Sequence, residues 1–502
     1  MVIAFIISLL LVISFIAFRT VYFSRTDNIT PMYRHIPVEV SAAVKRLSRA
    51  IQFKTISREN QKDIDGEEFR RMHSFLEREF PLVHQQMTRE VVNDYSLLFY
   101  WEGSDDSLKP AMYTCHLDVV PVEPGTEEDW DHPPFQGKVE DGYIYGRGTM
   151  DVQSGVMAIL EAAEALLQQG YQPERSIYLG FGHDEEIDGL EGARQIGRLL
   201  DERNVELEFL LDEGLPVVDK LLPGIERPVA LVAVAEKGFL SIELTSESEG
   251  GHSSVPQGKT SIAKLSDAVQ RLEDNPMPSK LNGLVKSTFE SLTTGAPLPL
   301  RVLFSNLWLF KGLLHRYLSQ IPATDASLRT TTATTIFESG VKDNLIPTIA
   351  RAVVNFRIHP NDDVEKVVRH VRKVINDPEI SIRKIDGYID PSVVSDIEAQ
   401  PYRILRASIR QVFPKAIVAP ALMVGATDAR HYAHLTNNVY RFSPLRADES
   451  DLDRVHGTNE RLSIDNYAEM IQFYSRIIIN AALARPEQTL TANAARKDAV
   501  AS

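Results

Sequence analysis

The 502-residue sequence contains a single cysteine, Cys115, and more acidic than basic side chains. One thiol excludes an intramolecular disulfide and every zinc or redox site that needs paired cysteines. Lys and Arg number 54 against 69 Asp and Glu, for a formal charge of −15. This sign disfavours nucleic acid as a partner, because the phosphate backbone is bound by basic surfaces. Histidines and carboxylates remain as metal ligands, and these donors suit Zn²⁺.

Long apolar runs are also scarce, and the longest lies at the N-terminus. Residues 1–18 carry no charge, and a helix of that length is about 27 Å long, near the short limit for a membrane span. We interpret the segment as a secretory signal peptide or an uncleaved signal anchor, with a buried core helix as the alternative. The absence of a basic start and of a small-residue exit argues against simple cleavage. The sequon Asn28-Ile29-Thr30 fits a glycosylated chain. We expect a secretory-pathway protein, either secreted or membrane-anchored with a luminal catalytic domain.

The rest of the chain alternates apolar strands and amphipathic helices. Strand-like segments at 111–114, 176–181 and 209–211 each end in polar residues, and 152–168 has helical periodicity. This pattern predicts an α/β domain with its site at the C-terminal ends of the strands. From about residue 238 the order becomes β-α-β-β-α-β, which is the ferredoxin-like α+β arrangement.

We therefore predict an α/β domain interrupted by a smaller α+β domain. The predicted boundaries are 1–18 for the signal segment, 19–37 for a linker, 38–237 and 389–485 for the two parts of the catalytic domain, 238–388 for the inserted domain and 486–502 for a flexible tail.

Five polar segments, each a weak signal alone, occur in an informative order: 116–118, 146–151, 184–186, 212–214 and 456–460. Together they resemble the dizinc exopeptidase family that contains carboxypeptidase S and the aminoacylases, and the similarity runs from about residue 38 to 483. The resemblance implies a three-layer α/β/α catalytic domain, an inserted ferredoxin-like lid through which two chains pair, and two Zn²⁺ per chain.

The resemblance also implies which residues hold the two zinc ions. His116, Asp151 and Asp212 would bind one ion, and Asp151, Glu186 and His456 would bind the other. Asp151 would bridge them, which the two oxygens of a carboxylate allow in a two-metal site.

Further roles come with the same resemblance. Glu185 matches the general base and acid, which takes a proton from the attacking water and passes it to the leaving nitrogen. Asp118 matches the carboxylate that orients His116. The peptide bond after Asp151 is expected to be cis, as is usual in the family.

The lid and its surroundings match the family at substrate-contacting positions. His252, in 250–254, would stabilise the transition-state oxygen, often across a dimer interface. Asn344 and Arg357 match substrate-contacting lid residues, and Arg430 matches an arginine near the substrate's free carboxylate, which suits a guanidinium fork. Gln153 departs from the pattern, because many relatives have lysine there.

An apolar stretch at 298–321 has three interpretations: a helix that completes the lid core, a wall for an acyl chain, or a membrane-facing patch. Residues 306–310, 330–333 and 354–360 resemble secreted family members that reversibly join a fatty acid to an amino acid. The predicted function is therefore a zinc-dependent hydrolase of N-fatty-acyl amino acids that also runs in reverse. The alternatives are a carboxypeptidase S-like peptidase that cleaves short peptides and, from a different class, a catalytically dead binding protein on this fold.

Overall fold

The computed structural model of the protein describes residues 2–23, 35–220, 224–256, 258–281 and 283–482. The sequon at Asn28, most of the predicted linker and the predicted tail lie outside these residues. The helices are α1 (Val2–Phe23), α2 (Val40–Ala50), α3 (Gly66–Glu79), α4 (Pro81–Gln86), α5 (Gln153–Gln168), α6 (Ala193–Glu202), α7 (Ser261–Asp274), α8 (Gly283–Leu292), α9 (Leu298–Ser305), α10 (Leu307–Leu318), α11 (Pro322–Asp325), α12 (Val364–Ile375), α13 (Gln400–Val412), α14 (Glu449–Leu452) and α15 (Ile464–Ala482). The strands are β1 (Thr88–Val92), β2 (Ser96–Trp101), β3 (Ala111–His116), β4 (Lys138–Glu140), β5 (Tyr143–Tyr145), β6 (Ile177–Gly182), β7 (Phe209–Val218), β8 (Val229–Glu236), β9 (Gly238–Glu247), β10 (Gly251–His252), β11 (Thr331–Ser339), β12 (Leu345–Ile346), β13 (Ile349–Ile358), β14 (Ile380–Lys384), β15 (Ile417–Met423), β16 (Val439–Ala447) and β17 (Arg461–Ser463).

The larger sheet has eight strands in the order β1-β2-β6-β3-β7-β16-β8-β15. Its centre is parallel, with β3 between β6 and β7 and β16 beside β7. All six residues of β3 are buried, as expected for a strand covered on both faces. One buried cluster joins the sheet to α2, α5 and α15, and another joins it to α6. The predicted three-layer α/β/α domain is confirmed.

The inserted part forms a separate four-stranded antiparallel sheet in the order β11-β13-β9-β14. Helices α7 and α12 pack over it through buried side chains that include Leu265, Val367 and Val371. The chain order β9-α7-β11-β13-α12-β14 matches the predicted β-α-β-β-α-β arrangement. We call this sheet, its two helices and the segment with the paired strands β10 and β12 the lid.

Helices α8 to α10 follow a different course from the prediction. Their buried residues, such as Phe289, Phe304 and Leu314, form one cluster with Ile417 and Ala419 of β15. Strand β15 is an edge strand of the larger sheet, so these helices cover that edge. The interpretation of 298–321 as part of the lid core is therefore wrong, and the segment predicted as lid includes helices that pack on the catalytic sheet.

Helix α1 ends at Phe23, so residues 19–23 are helical and not linker. The reason is local: Val21, Tyr22 and Phe23 extend the apolar run, and the Arg19 side chain donates to the main-chain oxygen of Ser305 at 2.9 Å. Among the described residues, α1 is the one helix whose length and composition would suffice to cross a membrane.

Candidate active site

A cluster of acidic and histidine side chains lies where the central parallel strands end. His116 is the last residue of β3, Glu185 and Glu186 follow the end of β6, and Glu213 lies in β7. Asp151 lies just before α5. Because β6, β3 and β7 are parallel neighbours, their carboxyl ends bring these side chains together, as the sequence predicted.

Asp151 lies between two histidines. Its Oδ1 is 3.1 Å from Nε2 of His116, and its Oδ2 is 2.9 Å from Nε2 of His456. The same His456 nitrogen is 3.1 Å from Oε2 of Glu186. The structure thus brings four of the five predicted metal ligands together, and the two oxygens of Asp151 face different histidines. Such an arrangement suits a carboxylate shared by two ions.

The fifth predicted ligand, Asp212, is not in this cluster. Its Oδ1 accepts a hydrogen bond from the Thr114 hydroxyl at 2.7 Å, and its Oδ2 accepts one from the Ala429 amide at 2.7 Å. The next residue, Glu213, instead points its Oε1 to within 3.5 Å of His116 Nε2. Successive side chains of a strand point in opposite directions, so only one member of this pair can face the cluster. In the structure the Glu213 carboxylate faces the cluster, whereas the sequence prediction named Asp212.

Asp118 connects three of the clustered residues. Its Oδ1 accepts the main-chain N–H of Glu185 and its Oδ2 accepts that of Glu186, both at 3.1 Å. The Nδ1 of His116 lies 3.0 Å from the Asp118 main-chain oxygen and 3.4 Å from its Oδ1. Asp118 is fully buried. It can therefore fix the His116 ring and the peptide that carries both glutamates.

A second pair of buried residues, which sequence reasoning did not single out, holds the other side of the cluster. Glu460 Oε1 accepts the main-chain N–H groups of Met150 at 2.6 Å and Asp151 at 3.1 Å. Its Oε2 receives Arg147 Nη1 at 2.9 Å, and Nη2 of that arginine donates to the main-chain oxygen of His456. Through these hydrogen bonds, Arg147 and Glu460 connect the loop that carries Asp151 to the loop that carries His456. Both residues lie within polar segments that the sequence analysis named, 146–151 and 456–460, and this position was the signal that could have identified them.

The electrostatics of the cluster favour a bound cation. Burial raises the pKa of Glu213 to about 7 and that of Glu185 well above its ordinary range. Hydrogen bonds to Asp151 and Glu186 raise the pKa of His456 to about 10. Glu186 Oε1 is buried without a hydrogen-bond partner. A buried set of imidazole nitrogens and carboxylate oxygens, with more carboxylates than histidines, fits divalent ions such as Zn²⁺.

The peptide bond between Asp151 and Val152 is trans, as is every peptide bond of the described residues, so the expected cis bond is not present. Gln153, the departure from the family pattern, is fully buried. Its Nε2 donates to the Thr55 hydroxyl at 2.9 Å. A neutral hydrogen bond thus occupies the place where a lysine was expected.

A cavity of about 1250 Å³ opens above the cluster. Both sheets contribute to it, and its walls combine two arginines, Arg357 and Arg430, with apolar side chains. The apolar lining includes Phe239, Tyr388 and Ile389 from the lid side and Met423 and Leu445 from the catalytic side. No residue of 298–321 lines it, so the acyl-wall interpretation of that segment is wrong.

The two arginines differ in their surroundings. Arg430 Nη2 donates to the main-chain oxygen of Asp188 at 2.9 Å and to its Oδ1 at 3.0 Å. Arg357 lies with its guanidinium 5.0 Å from the centre of the Phe239 ring, and it forms no ion pair with any described residue. The guanidinium group of Arg357 is therefore more available than that of Arg430 to bind an incoming carboxylate.

His252 and Asn344 are not among the residues that line the cavity. His252 is exposed and bonds through Nδ1 to the Ser254 hydroxyl at 2.7 Å. The Asn344 main-chain oxygen accepts the Ser253 N–H at 3.1 Å. The structure therefore brings these two predicted residues close to each other, on the lid, but not to the cluster of their own chain.

The three-layer α/β/α domain and the buried His/Asp/Glu cluster at its strand ends define a metallohydrolase of the zinc-exopeptidase class. The model of peptidase family M20/M25/M40 matches residues 112–480, and the chain belongs to this family.

Two relatives and one solved structure illustrate the similarity. The chain is 44% identical over 440 residues to the probable carboxypeptidase S-like 2 of Dictyostelium discoideum, covering 87% of this chain and 84% of that protein. It is 43% identical over 442 residues to the N-fatty-acyl-amino acid synthase/hydrolase PM20D1 of Xenopus tropicalis, covering 87% and 85%. The M20 family metallo-carboxypeptidase Sso-CP2 of Sulfolobus solfataricus shares the fold, with a TM-score of 0.63 at 19% identity over 87% of this chain and 98% of that one.

Proposed function

We propose that the protein is a dizinc amidohydrolase that cleaves N-fatty-acyl amino acids and forms them in the reverse direction. The observation that carries the proposal is the cavity, which joins the acid cluster to an unpaired Arg357 and to apolar walls. This combination suits a substrate with an amide, a free carboxylate and a long acyl chain. Similarity to the Xenopus N-fatty-acyl-amino acid synthase/hydrolase supports the same substrate class.

In this proposal the residues of the cluster hold two Zn²⁺. His116, Asp151 and Glu213 would hold one ion, and Asp151, Glu186 and His456 would hold the other. Glu213 replaces Asp212 in the expected set because its carboxylate is the one that faces His116. Bound metal would supply Lewis-acid polarisation of the scissile carbonyl and would acidify the attacking water.

Glu185 is the proposed general base and acid. Its Oε2 is 4.0 Å from His116 Nε2, and the residue lines the cavity, so its carboxylate borders both the metal ligands and the substrate space. It takes a proton from the attacking water and returns it to the leaving nitrogen. In the reverse direction it receives a proton from the attacking amine. Asp118 keeps the Glu185 peptide in place through the hydrogen bond described above.

Arg357 and Arg430 are the proposed partners of the substrate carboxylate. A guanidinium fork can bind a carboxylate through two parallel hydrogen bonds. The acyl chain would then extend along the apolar lining, with Phe239 and Met423 among its contacts. Arg357 comes from the lid and Arg430 from the catalytic domain, so closure of the lid over a substrate would bring both to one ligand.

We extend the proposal to a homodimer that forms through the lid, in which His252 and Asn344 act on the partner's site. Strand β11 is an edge strand of the lid, and its Ile336 and Phe337 are exposed. An exposed edge strand has unpaired main-chain groups and is a template for pairing with another chain. His252 pairs with Leu345 on the same domain, outside its own cavity, which supports a role in a neighbouring chain.

The proposed location is the secretory pathway, with α1 as the signal or anchor and Asn28 as a glycosylation site. Helix α1 is apolar, and none of its membrane-length window is buried in the protein. A helix of this kind suits a bilayer better than a protein core.

A substrate panel tests the proposed reaction. Purified, zinc-loaded protein is assayed with N-acyl amino acids of increasing chain length, their methyl esters and dipeptides, with Glu185→Gln as the control for contaminating activity. We expect kcat/KM to rise with acyl length by at most about 0.8 kcal/mol of binding per methylene. Methyl esters should lose more, because they leave buried donors facing a neutral group.

The same panel decides between the alternatives. Equal cleavage of N-oleoyl and N-acetyl substrates, with dipeptides far better, would make the protein a peptidase like the Dictyostelium relative. No turnover of any substrate by a metal-loaded, folded chain would favour the binding protein. Formation of the amide from fatty acid and amino acid at high concentration would support reversibility.

A further inference from the structure

Among the described residues, the contacts of helix α1 with the rest of the protein lie near its C-terminal end. Residues 2–14 are all exposed, while Thr20 is buried. The contacts of α1 come from Phe15, Ile16, Arg19 and Thr20, which lie on one side of the helix. At 1.5 Å per residue, about 20 Å of apolar helix therefore projects from the body of the protein.

The partners of α1 are the adjacent ends of α9 and α10. The rings of Phe15 and Trp308 meet edge to face with their centres 5.7 Å apart. Asn306 Nδ2 donates to the Thr20 hydroxyl at 3.1 Å. These contacts fix the junction between α9 and α10 beside the last turns of the projecting helix.

Helix α10 has a second apolar side, which is exposed apart from the contact of Trp308 with Phe15. Leu307, Leu314 and Leu318 face the core shared with β15. The opposite side exposes Trp308 (52%), Leu309 (48%), Leu313 (65%) and Tyr317 (53%). We call these four residues the α10 apolar face. Leu309, Leu313 and Tyr317 recur every four residues, so they form one stripe along the helix.

The charge around this face is opposite to that of the whole protein. Residues 298–321 contain Arg301, Lys311 and Arg316 and no Asp or Glu, in a chain whose formal charge is −15. Lys311 and Arg316 are exposed on α10 itself. A helix with an apolar side and basic flanks is typical of segments that lie at a membrane interface and contact anionic lipid.

We propose that the α10 apolar face lies in the interface of the bilayer that α1 enters, so that α10 is a second membrane contact. The inference rests on the proposed role of α1 as an anchor. If α1 spans a hydrocarbon core of about 30 Å, the roughly 20 Å of helix before Phe15 leave this residue about 10 Å below the membrane surface from which the body of the protein projects. The contact between Phe15 and Trp308 places α10 at that depth, to which the apolar face of an interfacial helix is buried. Tryptophan and tyrosine are the aromatic residues enriched at such interfaces.

A second membrane contact would restrict the orientation of the protein on the membrane. A single helix leaves the body free to rotate and tilt above the membrane, whereas a second contact fixes one side of the protein against it. The fixed side is the edge strand β15 of the catalytic sheet, which α8 to α10 cover. An amphiphilic substrate that partitions into the membrane would then approach an enzyme of defined orientation.

Quenching of tryptophan fluorescence by brominated lipid tests the proposal on the full chain. The protein is reconstituted into phosphatidylcholine and phosphatidylserine vesicles, with bromine either absent or carried near the headgroup end of the acyl chains. The other two tryptophans, Trp101 and Trp130, are buried, so we expect quenching to come from Trp308. The quenching should disappear in Trp308→Phe.

A relocated reporter separates α10 from α1. In the Trp308→Phe background, Leu313→Trp places the reporter further along α10, and Val341→Trp places a matched one on the lid, where Val341 is 90% exposed. We expect strong quenching of the first and none of the second. Release of the whole chain by alkaline carbonate would overturn the anchor and the inference together. Retention with an unquenched Leu313→Trp reporter would overturn the inference alone.

Discussion

The floor of the cavity, by which we mean the buried cluster of acidic and histidine side chains, and the lid are built in different ways. On the floor, the clustered side chains are buried and held by others of the same chain: Asp118 holds the Glu185 and Glu186 peptides, and Glu460 holds the Asp151 peptide. On the lid, Arg357 rests on one aromatic ring, and His252 lies outside the cavity. The residues of the floor come together within one chain, whereas His252 does not join them there. Chemistry should therefore depend on the floor, and, in the proposed dimer, its completion should depend on a lid from the second chain.

The largest effect is expected where the floor is shared by both proposed ions. Asp151→Ala removes the carboxylate whose two oxygens face His116 and His456. We expect both ions and all measurable activity to be lost, with metal content measured by atomic spectroscopy on the purified chain. An Asp151→Ala chain that retains two ions would contradict the bridging role.

The next effect separates proton transfer from metal binding. Glu185→Gln should retain metal and fold but lose at least about 10²-fold in turnover, because an amide cannot shuttle a proton. Glu186→Gln, the matched control one residue away, should instead weaken metal affinity. Near-normal turnover of Glu185→Gln would require the two roles to be exchanged.

The third effect tests whether Glu213 or Asp212 is the metal ligand. Glu213→Gln should lose one ion and most activity, because its carboxylate faces His116. Asp212→Asn should keep both ions and lose some stability, because Asp212 holds Thr114 and the Ala429 amide. Metal analysis of the two variants with thermal unfolding decides this. The reverse pattern would restore Asp212 as the ligand.

The smallest effect is expected for the hydrogen bond between the uncharged side chains of Gln153 and Thr55. Gln153→Ala removes the hydrogen bond to Thr55 and should lower the free energy of unfolding by about 1–2 kcal/mol. Metal content should stay the same, since Gln153 contacts none of the proposed ligands. Denaturant unfolding and metal analysis measure both quantities. Loss of an ion would mean that the floor depends on this position more than its contacts indicate.

Much of the floor could be predicted from the sequence because its residues follow short apolar strands. His116 and Glu185 were placed by strand ends, which parallel pairing brings together. Asp212 and Glu213 could not be distinguished, because adjacent residues of a strand alternate sides and the register decides which one faces the cluster. That register depends on the pairing of β7 with β3 and β16.

The lid was predicted less completely. Its order of strands and helices followed from local periodicity, and the structure matches it. The packing of 298–321 on β15 was missed because it depends on Ile417 and Ala419, about a hundred residues further along the chain. A position for His252 could not be derived either, since the proposed action in a partner chain would leave no intrachain signal in the sequence.

The most direct test of the contrast between floor and lid mixes two inactive chains. Glu185→Gln keeps the lid intact, and His252→Ala keeps the floor intact. In a verified heterodimer, an exchanged lid gives one site with both Glu185 and His252, so the account predicts recovery of about half the wild-type activity per dimer. If His252 acts within its own chain, neither site is complete, and a heterodimer as inactive as its parents would contradict the account.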